Sequence, residues 1–147
     1  MDGSTPGEML RVFLDQAQPG AYIALQAYVQ PTADVDAALG YLRARLRDRT
    51  QLATTLGYGP RFLHSTGQLH KGDAGKGLFI QFTADMPRDA DIPDEAGSSN
   101  STISFGTLKM AQALGDRQAL LDGGRRVLRV GLGAEPAQVL RQLAETL

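Results

Sequence analysis

Six residues able to do chemistry crowd into one short stretch: His64, Ser65, Thr66, Gln68, His70 and Lys71. The stretch contains both histidines of the 147-residue chain and lies inside a glycine-rich segment marked by Gly57, Gly59, Gly67, Gly72, Gly75 and Gly77. Imidazole titrates near a pKa of about 6.5, so it can donate or accept a proton at cellular pH, as ring opening of a sugar or enolisation beside a carbonyl requires. The hydroxyls and backbone N–H groups of Ser65-Thr66-Gly67 suit an oxyanion, especially where a helix begins. Packing alone gives little reason for such crowding. Single members stay open to a structural reading, His64 as a hydrogen-bonded histidine and Lys71 as a solvent-facing one. Lys109 is a second candidate: it follows a helix-capping Ser104, where a cation opposes the helix dipole, and reaching an anionic ligand would resolve that conflict.

Other chemistries lack their signatures. There is no phosphate loop of the G-x-x-x-x-G-K-[ST] type, no G-x-G-x-x-G after the first strong strand, and no hydrolase elbow. Two histidines six positions apart without a third good ligand predict no metal site. The absence of cysteine removes disulfides, thiolate zinc sites and a cysteine nucleophile. A net charge of -1 provides no broad positive field for nucleic acid or anionic lipid. No apolar run approaches the roughly 20 residues that span a bilayer, and Met1-Asp2-Gly3-Ser4 lacks the pattern of a signal peptide, so a cytoplasmic chain without a membrane partner is expected.

The elements that must position these residues follow from periodicity. Thr5-Pro6-Gly7-Glu8 is a capping box opening a helix from Pro6 to Ala17. Ala21 to Val29 is too continuously apolar for a one-sided strand and predicts a central strand covered on both faces. Val35, Leu39, Leu42 and Leu46 mark a helix whose Arg43, Arg45, Arg47 and Arg49 form a solvated face. Gln51 to Leu56 is a weaker strand, Leu78 to Phe82 a buried one, and Arg126 to Val130 another. Between them, residues 84–101, with prolines, five acidic residues and Gly-Ser-Ser-Asn-Ser, predict a mobile loop of solvated acid. Phe105 to Asp122 predicts a helix with a break at Gly115-Asp116, and Pro136 opens a last helix. The alternation predicts one α/β domain over residues 1–147, a three-layer sandwich around a mainly parallel sheet of about four or five strands.

These residues resemble a known family. Tyr58-Gly59-Pro60-Arg61-Phe62-Leu63-His64-Ser65-Thr66-Gly67-Gln68-Leu69-His70-Lys71-Gly72 is similar to the signature stretch of the C-terminal sugar-isomerase (SIS-type) domain of bacterial transaldolase/glucose-6-phosphate isomerase fusion proteins. The likeness extends through Ala21 to Tyr28, Gly77 to Thr83, Ser104 to Lys109 and Ala111 to Asp116, and so covers most of the chain from Tyr22 to Gly133. It implies an SIS/Rossmann-like sheet and a place in glycolysis and gluconeogenesis. It implies also the cofactor-free interconversion of glucose 6-phosphate and fructose 6-phosphate through an enediol. By that resemblance His64 or His70 is an acid/base group, Lys109 the late active-site lysine, and Ser65, Thr66, Gln68 and Lys71 contact a sugar-phosphate ligand. Two departures stand out. Arg61, Phe62 and Leu63 occupy the positions where ordinary isomerases carry a carboxylate base. The family's phosphate loop belongs to another subdomain, so half a site is implied, completed by a partner isomerase subdomain or a second copy. A non-catalytic phosphosugar-binding or interaction module is the competing expectation.

Overall fold

The computed structural model describes residues 5–147. The start, Met1 to Ser4, on which the reading of no signal peptide rested, lies outside the described residues. In chain order the elements are α1 (Pro6–Leu14), β1 (Tyr22–Tyr28), α2 (Ala33–Thr50), β2 (Ala53–Tyr58), a 3-10 turn (Arg61–His64) and α3 (Thr66–Gly72), then β3 (Gly77–Thr83), β4 (Asp91–Ile92), β5 (Ile103–Ser104), α4 (Phe105–Asp122), β6 (Arg126–Gly131) and α5 (Pro136–Glu145). The main sheet runs β2-β1-β3-β6 with every neighbouring pair parallel. Helices cover both of its faces, so the fold is the three-layer α/β sandwich that the alternation of elements required. No helix among the described residues is long and apolar enough to cross a membrane.

The strands explain the layering. Side chains alternate across a strand, so Ile23, Leu25 and Ala27 of β1 face one way with Leu78, Ile80 and Phe82 of β3. Against them pack Leu10, Phe13 and Leu14 of α1, Leu39, Leu42 and Leu46 of α2, and Leu140 and Leu143 of α5. The opposite face carries Tyr22, Ala24, Gln26 and Tyr28 with Phe79 and Gln81, under α3 and α4. That face is smaller and more polar. Gln26 and Gln81 stand side by side in the register of β1 and β3, and Gln81 Nε2 donates to the Ala113 carbonyl at 2.9 Å.

Local chemistry sets the ends of the elements. Thr5 and Glu8 complete the anticipated capping box, Thr32 caps α2 and Ser104 caps α4. α1 stops at Leu14, three residues short of the expected end, where Asp15 closes the helix. β2 runs on through Gly57 to Tyr58, because the parallel ladder pairs Gln26 with Gly57 and Ala27 with Tyr58. The rest of the glycine-rich segment is not open loop but contains α3. α4 continues through Gly115-Asp116 without the expected break. A Cβ on Gly115 would meet nothing within 4 Å, so that glycine costs helix propensity, about 1 kcal/mol, without interrupting the turn. Residues 84–101 hold β4, which pairs antiparallel with β5, and Asp94 accepts from the Thr102 N–H at 2.9 Å.

Leu42 is fully buried between α2 and the sheet, whereas Tyr41 beside it is 45% exposed. Leu42→Ala should lower unfolding free energy by about 2–5 kcal/mol, and Tyr41→Ala by no more than about 0.5 kcal/mol, measured by urea denaturation.

Candidate functional site

The order β2-β1-β3-β6 means that the chain leaves β1 toward one edge and then returns to add β3 on the other side of β1. At such a reversal the loops leaving adjacent strands diverge and open a crevice beyond the carboxyl ends, where ligands of doubly wound sheets gather. A cleft of about 830 Å³ lies there. Its walls come from Val29 to Pro31 after β1, Tyr58 to Arg61 after β2, Ala84 to Arg88 after β3, and Lys109 on α4.

Three cations, Arg61, Arg88 and Lys109, share this cleft with the carboxylates Asp36 and Asp85. Asp36 accepts a hydrogen bond from the Tyr58 hydroxyl. Burial, that bond and the Asp36 charge together push the Tyr58 phenol well above its ordinary pKa, so it stays a donor. Lys109 is half-buried, and desolvation pulls its ammonium below the usual lysine value, with the Asp89 carboxylate opposing the shift. Arg61 owes its place to Gly59. The Gly59 N–H donates to the Ala27 carbonyl at 2.9 Å, and a Cβ there would lie 2.6 Å from the Tyr28 ring and 2.8 Å from the Phe62 ring. The edge-to-face pair Tyr28–Phe62, with centroids 5.5 Å apart, therefore closes directly over the backbone that carries Arg61.

Of the residues singled out by type, only Lys109 lines the cleft. His64, Ser65, Thr66 and Gln68 are exposed around the 3-10 turn and the start of α3. Their hydrogen bonds are local: the Ser65 hydroxyl donates to the Phe62 carbonyl at 3.4 Å and Gln68 Nε2 to the Leu63 carbonyl at 3.3 Å. His70 turns the other way, buried among Tyr22, Phe62 and Phe79 with ring centroids 6.3, 6.1 and 5.0 Å from its own. Its Nδ1 lies 3.4 Å from Gln26 Nε2. Lys71 pairs at 2.9 Å with Asp116 of α4, whose side chain is 1% exposed. The cluster is thus split, four members facing solvent and two turned onto the polar face of the sheet. Arg61, Arg88, Asp36, Asp85 and Tyr58 were not singled out by residue type. Arg61 had one usable signal, its place just past the end of a strand; Arg88, in a proline-containing acidic stretch, had none.

This is a doubly wound α/β domain with a cationic cleft at its topological switch point. It matches a solved structure, a hypothetical protein of Thermus thermophilus, with a TM-score of 0.65 and 18% identity over 95% of this chain. The chain spans 36% of that structure's length, and at this identity the likeness shows the fold. No protein-family model and no curated protein matches the chain.

Two outcomes follow from this geometry. Burial holds His70 below its ordinary pKa, against the opposing charges of Asp116 and Asp73. The unfolded chain therefore takes up the proton first, so the contribution of neutral His70 is complete above about pH 6.5 and is lost as pH falls below it. His70→Gln should flatten the decline of the urea midpoint between about pH 7 and pH 5 relative to the parent chain. Gly59→Ala, forced against two aromatic rings, should lower stability by about 1–3 kcal/mol and displace Arg61, read by denaturation and by amide shifts at residues 57–63.

Proposed function

We propose that the chain is a sugar-isomerase-type domain that supplies part of a site for interconverting glucose 6-phosphate and fructose 6-phosphate. The observation that carries this reading is the convergence of Arg61, Arg88 and Lys109 on one switch-point cleft. Its volume, about 830 Å³, suits a hexose phosphate. Two guanidinium groups and an ammonium match a phosphate dianion in charge, and the guanidiniums can bond it bidentately. The family resemblance supplies the reaction: ring opening, then proton transfer through an enediol, without a cofactor. His64 is exposed and free to act on a substrate held against a partner isomerase subdomain or a second copy, with Ser65, Thr66 and Gln68 beside it. Such a chain works in the cytoplasm, where hexose phosphates are metabolised, and needs no nucleic acid.

A second reading, a phosphosugar-binding module without catalysis, is favoured by one observation. The acid/base candidates of residues 64–71 stand outside the cleft that gathers the cations.

Titration with fructose 6-phosphate, followed by amide shifts, should show saturable binding centred on Arg61, Arg88 and Lys109. Lys109→Met should weaken it about tenfold or more, the effect of one charged hydrogen bond. Binding by neither protein, or equally by both, overturns the cleft as the site. Turnover in a coupled assay with an isomerase subdomain supplied, lost in His64→Ala, supports the enzyme; saturable binding without turnover in any assembly supports the module.

A further inference from the structure

Lys109 stands in the first turns of α4, where a cation opposes the helix dipole, and it forms no direct ion pair among the described residues. What occupies that helix start is a carboxylate of the chain itself. Asp89 Oδ1 accepts the Gly106 N–H at 2.8 Å and the Ala90 N–H at 2.8 Å. A Cβ on Gly106 would lie 2.5 Å from Asp89 Oδ2, so only glycine at this position lets the carboxylate reach the backbone. The neighbouring main chain is stitched down as well: the Phe105 N–H donates to the Ala90 carbonyl at 2.9 Å, and Asp91 and Ile92 pair with Ser104 and Ile103.

We propose that Asp89 is a positioning residue of the cleft: it fastens the segment carrying Arg88 onto the start of α4 and there, one helical turn before Lys109, provides that lysine's counter-charge. The inference deepens the sugar-phosphate reading and rests on it. Two of the cleft's walls, those that carry Arg88 and Lys109, meet at this one group, because Arg88 is its chain neighbour and Lys109 follows Gly106 by one helical turn. The Ser104 hydroxyl and the Gly106 N–H hold the Asp89 carboxyl below the usual range, the Lys109 charge adding to them, so it stays ionised wherever the cleft would meet a phosphate. Asp89 also resolves the conflict of a lysine at a helix start, since a carboxylate there offsets the dipole that Lys109 opposes. The other charged groups of the cleft are Arg61, Arg88, Asp36 and Asp85.

Two variants separate charge from fastening. Asp89→Asn keeps an acceptor oxygen for Gly106 and Ala90 but loses the charge, whereas Asp89→Ala loses both. The Lys109 ammonium is titrated by NMR of carbon-labelled lysine in the ligand-free chain, and its midpoint should fall by roughly half a pH unit in both variants. With inorganic phosphate as probe, Asp89→Ala should bind about five- to tenfold more weakly than the parent, while Asp89→Asn binds at least as well as the parent. A Lys109 midpoint unmoved in Asp89→Asn, or parent-like phosphate affinity in Asp89→Ala, overturns the proposal. The lysine titration needs no ligand, so failure of the parent to bind phosphate counts against the sugar-phosphate reading and leaves the link between Asp89 and Lys109 decided by the titration.

Discussion

β1 is hydrogen-bonded in parallel on both edges, to β2 through Tyr22↔Ala53 to Ala27↔Tyr58 and to β3 through Tyr22↔Gly77 to Tyr28↔Thr83. A strand paired on both sides must be covered on both faces, which explains why six of its seven residues are buried. It also explains the cleft. Because the chain joins β1 first on one edge and then on the other, the connections after β1, β2 and β3 part company at the same end of the sheet. The cations that line the opening come from those divergent connections and from the helix that follows β3, so their convergence depends on the pairing of β1.

The two faces of β1 serve different ends. One meets three helices through Ile23, Leu25 and Ala27 and supplies the larger core. The other holds Gln26, Gln81, His70 and the Lys71–Asp116 pair in a buried polar layer beneath α3 and α4. Here several oxygens, those of Gln26, Gln81, Tyr28 and Asp116 Oδ2, have no hydrogen-bond partner among the described residues. A layer of this kind specifies where α3 sits more sharply than apolar packing would, since each misplacement strands another polar group. It ties the glycine-rich segment to the sheet, and the 3-10 turn with it.

Much of the architecture was legible in order. The periodicity of Val35, Leu39, Leu42 and Leu46, the capping box at Thr5 and Glu8, and the apolar run of β1 each translate into the element they foretell. α3 was not legible, because a seven-residue helix rich in glycine and polar residues has neither periodicity nor propensity to show. Lys109 was found because its charge conflicts with its helical position; Arg61 and Arg88 were not picked out as site residues because a cation in a turn conflicts with nothing nearby in sequence.

The sequence by itself determined the layers of this protein, the covering of its central strand and the presence of a polar, histidine-bearing segment after β2. These are matters of local pattern, in which each residue's preference is expressed within one or two turns of chain. Only the tertiary structure decided which polar residues meet. Arg61 comes from the connection between β2 and β3, Arg88 and Lys109 from distant points of the connection between β3 and β6, and they share a cleft through the strand order, while His70 and His64, six positions apart, end one buried against the sheet and the other exposed. The reason is geometric: a functional site is set by distances across the sheet, and one reversal of strand order brings together residues that the chain keeps far apart.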